Sequence, residues 1–195
     1  MCSAAMVDLS GHLAKHMAAH ILAMNLFAPV LAYLWHRTRR EAPPLPFGVA
    51  AATGLQLAVL WAWHVPAAFA SASTQPLIGA AMHLSLFLTA LLFWRAVLHA
   101  ASVSPWRSIA ALLVTGKLFC LLGVLLVFSP RPLYEPMGHP SSTSVGSLLA
   151  DQQAAGLLML IFCPLTYVLG GILIVRRWII VDEQNASRLF ERLRP

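Results

Sequence analysis

Charge is what this chain has least of. Asp, Glu, Lys and Arg make up 10% of its 195 residues, where a soluble domain carries about 25%. With 59% hydrophobic residues and a mean hydropathy of +0.75, a water-soluble globule would be covered in apolar patches. The same scarcity of charge excludes disorder. Cysteine is sparse too. Cys2, Cys120 and Cys163 lie far apart, so neither a disulfide framework nor a CxxC site is available. There is no GxSxG, P-loop or HExxH sequence, and no enzyme signature is expected. The short alternating segments of a β-barrel pore are absent. The first residues lack a basic leader, and no cleavable signal peptide is expected.

What remains is long apolar runs, and a spanning helix needs about 20 such residues. The expected fold is all-α: one integral membrane helical bundle over residues 1–195, with about five transmembrane helices. These fall near 13–35, 47–64, 76–97, 105–128 and 148–175, with a polar tail at 182–195 suited to a surface helix. Pro76 and Pro105 suit first helical turns. Pro66 stops the second run, and Pro29 and Pro164 are expected to kink the first and fifth. Ala50, Ala51, Ala52, Gly170 and Gly171 suit close helix packing.

The net charge is +6, yet the basic residues sit in short loops rather than in a nucleic-acid stripe. Arg37, Arg39, Arg40, Arg95, Arg107, Arg176, Arg177, Arg188, Arg192 and Arg194 share one side of a five-crossing topology, against Lys15 and Arg131 on the other. Basic loops stay in the cytoplasm. The N-terminus is therefore expected outside and the C-terminus in the cytoplasm. Trp35, Trp61, Trp63, Trp94 and Trp106 sit at or near helix ends, with Trp178 just past the fifth, as an aromatic belt would.

Eight histidines in so apolar a chain carry the chemistry. His12, His16 and His20 recur every four residues, which is one face of a helix. On the expected topology His64, His83 and Asp151 lie at the same outer level, while His139 is in the long loop at 129–147 and only His36 and His99 fall inside. Two imidazoles four apart can share a metal ion. His16, His20, His64 and His83 are the candidate ligands, with Asp151 as a carboxylate that orients an imidazole or gates the site. Imidazole suits zinc, copper and iron. Met17, Met82 and Met159 would add a preference for Cu(I), with packing as the competing role. His12 is a further candidate. Lys117, mid-way along the fourth run, should face the bundle interior or snorkel. Paired histidines could instead hold a haem in a membrane electron carrier.

These residues resemble a known family. His16-Met17-Ala18-Ala19-His20 followed by Ala28-Pro29 is similar to the HM-x-x-H and AP pattern of CtaG-like cytochrome c oxidase assembly factors. Trp63-His64-Val65-Pro66 is similar to its WHxP element, and Met82-His83 leading to Leu92-Phe93-Trp94 to its next helix. The stretch from Asp151 to Met159 resembles its DQ-x-x-G-x-x-M segment. Ala19 stands where a Gln is common, and members usually carry further helices ahead of the HM-x-x-H helix. The resemblance implies a non-enzymatic protein of the bacterial plasma (inner) membrane. It would help assemble a haem–copper oxidase, binding its subunits and delivering copper through His16, His20, His64 and His83. A metal-free scaffold for those subunits is the plainer alternative, and self-association as a homo-oligomer is left open.

Overall fold

The computed structural model describes residues 12–38, 47–134 and 144–192. Cys2, Arg39, Arg40, the 41–46 loop, Met137, His139 and Arg194 lie outside them. All regular structure among the described residues is helical: α1 (His12–Thr38), α2 (Val49–Trp63), α3 (Pro66–Thr74), α4 (Pro76–Val103), α5 (Pro105–Phe128) and α6 (Val145–Arg192). Four helices are long and apolar enough to cross a membrane. The number rises to five if the bent pair α2–α3 forms one span. Only 17–44% of each spanning window is buried inside the protein. The outer surface is mostly Leu, Val, Ile and Phe, which is stable where hydrocarbon is the solvent.

Helices α3, α4 and α5 each begin on proline at the first turn, where its missing N–H is not needed. Pro66 therefore does more than stop the second run. Val65 ahead of it is extended (φ −65°, ψ 131°), as a residue before proline must be. A new helix then leaves at 72° to α2. The sequence-based boundary at His64 stands, but the stretch to Thr74 is helical rather than connecting. Its small residues, PAAFASAST, carry no strong periodicity to announce it.

The expected disturbance at Pro29 takes the form of a wider turn. Residues Ala23–Phe27 form a π-helical turn in α1, closed by the Ala28 N–H to the Ala23 carbonyl. This accommodates the proline ring, which would otherwise strike the carbonyl of Asn25 four residues back. Trp94 Nε1 donates to the Met24 carbonyl within that turn at 3.3 Å. Trp94 is thus a core residue, 5% exposed and stacked at 5.7 Å on Tyr167, and not part of an aromatic belt.

The last helix begins at Val145 and does not end at Arg176-Arg177; it continues to Arg192. At 1.5 Å per residue its length is about 70 Å, more than twice a hydrocarbon core of about 30 Å. Arginines change the solvent a helix prefers, not its backbone hydrogen bonding. The stretch 182–192 is therefore the end of α6 rather than a separate surface helix. α6 also passes through Pro164 without a break.

α5 and α6 make the most intimate pair. A Cβ at Gly156 would lie 2.8 Å from the Gly123 carbonyl oxygen and 2.8 Å from Val127 Cγ2. Of the glycines expected to permit packing, Gly170 meets Trp94 at 3.2 Å, while Gly171 has nothing within 4 Å. Ala52 is buried, and Ala50 and Ala51 are exposed.

Candidate metal centre

The helical period puts His16 and His20 one turn apart on α1, and the structure brings their rings to a centroid distance of 4.4 Å. Their Nε2 atoms are 2.7 Å apart, so one carries the hydrogen that the other accepts. From α4, His83 stacks on His20 at 4.5 Å, with planes 18° apart, and meets His16 edge-on at 5.0 Å. One ring nitrogen from each of the three lies within 4.8 Å of the others, which is close enough to hold a metal ion. The group is graded in exposure: His20 is buried, His16 half-buried and His83 exposed. An ion could therefore enter past His83 and be held against His20.

Two backbone carbonyls set ring orientation. The Nδ1 of His83 lies 2.7 Å from the Gly79 carbonyl, and that of His64 lies 2.7 Å from the Leu60 carbonyl. A carbonyl only accepts, so each Nδ1 carries the proton and each Nε2 is left with a lone pair. This is the usual way a ligand imidazole is held in the metal-binding tautomer. Gly79 is also where α3 presses on α4, since a Cβ there would lie 2.8 Å from the Ala72 carbonyl. The bent helix thereby brings Phe69 edge-on to His16 at 5.1 Å. Tyr134 packs on Phe69 at 4.4 Å and donates its hydroxyl to the His64 carbonyl at 2.8 Å. Burial pushes the Tyr134 pKa up to about 12, so it stays a neutral donor. Phe69 and Tyr134 carry no sequence signal of their own; α3 and the 129–134 segment bring them in.

His64 is buried, 7% exposed, but is not among the three converging ligands. It and His20 both line a cavity of about 20 Å³. His12, though in register with His16 and His20, is exposed at the start of α1. Met17 and Met159 are buried and line the same small cavity as His20, while Met82 is buried in the core elsewhere. Lys117 is exposed on the outer face of α5. The interior placement is thereby excluded, and snorkelling along the helix is its route to water.

The structure gives Asp151 a definite task. Its two carboxylate oxygens accept the backbone N–H groups of Leu13 and Ala14 at 2.9 and 3.0 Å. The first N–H groups of a helix have no partner within it, and a negative charge there opposes the positive end of the helix dipole. Asp151 on α6 thus pins the first turn of α1, one turn ahead of His16. It serves the imidazoles by placing the helix that carries them. Asp151→Ala is expected to cost about 1–2 kcal/mol, read as a lower unfolding temperature in detergent. Unchanged thermal stability would count against this capping role.

The family model for the cytochrome c oxidase caa3 assembly factor (Caa3_CtaG) matches residues 1–180. The chain belongs to that family. No curated protein and no solved structure matches it. The family resemblance read from the HM-x-x-H, WHxP, Met82-His83 and DQ segments is borne out, and three of the four histidines those segments supply stand together in space. In this member of the family the HM-x-x-H segment contributes His16 and His20, the third helix of the expected topology contributes His83, and the DQ segment closes the end of α1. Gln152, beside Asp151, accepts the Leu133 N–H at 2.6 Å and donates to the Leu126 carbonyl at 3.1 Å. The segment therefore also ties the chain leaving α5 to α6.

Proposed function

We infer that this caa3 assembly factor binds copper at His16, His20 and His83 and passes it to the copper centre of a cytochrome c oxidase. The convergence of three imidazoles from two helices carries this reading. The client of the family is a cytochrome c oxidase, whose chemistry requires copper, and imidazole is a good copper donor. Three protein ligands leave a coordination position open, and a protein that hands its ion on needs one. The bias of basic residues to one side directs the centre outward, across the plasma membrane of a bacterium, with the C-terminus in the cytoplasm. His64 is not one of the three and lines the small cavity on the methionine side, so it does not close the open coordination position. On this reading the protein acts stoichiometrically on oxidase subunits, as a metallochaperone rather than an enzyme.

The geometry favours an ion over a haem. His20 and His83 are stacked face to face, whereas axial haem ligands approach end-on from opposite sides of a wide planar macrocycle. The deciding experiment is metal analysis and an optical spectrum of the protein purified in detergent, wild type beside His83→Ala. Copper in the wild type, its loss in the variant and no Soret band are expected. Zinc alone, a Soret band, or copper that persists in the variant would overturn the assignment. Protein without any metal, whose His83→Ala variant still supports full oxidase activity, would point to a metal-free scaffold.

A further inference from the structure

Beside His20, in a cavity that neither His16 nor His83 lines, the bundle adds sulfur to nitrogen. The cavity of about 20 Å³ that His20 lines is also lined by His64, Met17, Met24, Met159, Asn25 and Cys163. Four described methionines occur in the chain, Met17, Met24, Met82 and Met159, and all four are buried at 3% exposure or less. Three of them surround this one small space. Asn25 is 7% exposed, and its amide donates to Cys163 Sγ at 3.3 Å while its Oδ1 has no hydrogen-bond partner. An unpartnered carbonyl oxygen in so buried a place is costly. The space beside it is large enough for a single water or ion.

We propose that this chamber is a second, inner metal site, specific for a soft monovalent ion: Cu(I) held by the thioethers of Met17, Met24 and Met159 together with His20. The proposal rests on the copper reading of the outer histidines and extends it. Thioethers are soft ligands that select Cu(I) over zinc and over harder ions, and they bind without losing a proton. Copper stays Cu(I) throughout, so no electron moves. His20 belongs to both sites. An ion that leaves His16 and His83 therefore has only the width of one imidazole to travel before it meets the methionine sulfurs. The π-helical turn places the inner donors, because Met24 and Asn25 both lie within Ala23–Phe27. The wider turn changes the angular spacing that a regular helix would impose between them and His20.

The test is copper X-ray absorption on the full chain in detergent, loaded with Cu(I) under anaerobic conditions. The wild type should show both sulfur and nitrogen neighbours. The double variant Met24→Leu/Met159→Leu, a volume-conserving change, should reduce the sulfur signal to that of Met17 alone, keep the nitrogen one, and yield Cu(I) to a competing chelator at least about tenfold more readily. Met82→Leu, which removes a buried methionine outside the chamber, should leave the spectrum unchanged. Nitrogen neighbours alone in the wild type would overturn the inner site and leave the outer one standing. An equal loss of sulfur in Met82→Leu would also overturn it. A wild type that takes up no copper would overturn the outer reading first, and this one with it.

Discussion

On the copper reading proposed above, replacing His20 with alanine will abolish copper binding by the purified protein and leave the oxidase short of copper. The affinity loss should be at least as large as for His83→Ala, because His20 alone lies against both other imidazoles and the methionine chamber. Its ring lies 4.4 Å from His16 and 4.5 Å from His83, and it lines the chamber that holds the methionines. Removing groups that merely orient a ligand typically costs 10–100-fold in metal affinity. Removing the shared ligand itself should exceed about 100-fold. The measurements are copper per chain after purification and copper in the oxidase isolated from cells carrying the variant. The protein must be equally abundant in both strains. His20→Ala creates a cavity without stranding a charge, and a modest loss of stability is expected alongside. Normal oxidase copper at normal abundance of the variant would sink the metal-handling role.

Gly156→Val will separate α5 from α6 and lower the unfolding temperature by more than any other single substitution on that face. Helices in hydrocarbon gain little from the hydrophobic effect on association and rely on close van der Waals packing. Here the approach is as near as backbones allow: an added Cβ would sit 2.8 Å from the Gly123 oxygen and 2.9 Å from Leu126 Cβ. Valine adds two further methyl groups and cannot turn them away. Overpacking of this kind costs about 1–3 kcal/mol or more, a fall on the order of 5 °C in a chain of this size. Because α6 also carries Asp151, Met159 and Cys163, metal retention should fall with it. Gly171→Val is the control. Nothing lies within 4 Å of an added Cβ there, so its effect should stay within about 0.5 kcal/mol. Equal melting of the two variants would refute the close crossing as the main contact of the pair.

The histidine centre shows how far a linear reading reaches. His16 and His20 follow from helical periodicity alone, since residues four apart share a face. His12 obeys the same period and still stands apart, exposed at the first residue of α1. His64 and His83 were expected at one level, and level is all that a topology supplies. Rotation of each helix about its own axis then brings His83 onto His20 and turns His64 toward the methionine side. Asp151 was legible as an acid near the start of α6. That its carboxylate would meet the backbone of α1 depends on the α1–α6 crossing, which leaves no mark in the local sequence. Phe69 and Tyr134 were invisible, since one lies on a short helix of small residues and the other in an irregular segment.

Composition and hydropathy, with no structure at all, establish a membrane-embedded helical chain, because the cost of charge in hydrocarbon is a property of each side chain separately. Short segments likewise establish kinship, since each is a local pattern. Which imidazoles face one another, where two glycines meet, and where sulfur gathers beside nitrogen are set only by packing. These depend on the rotation and crossing of helices far apart in the chain, and a π turn of five residues in α1 is enough to change them.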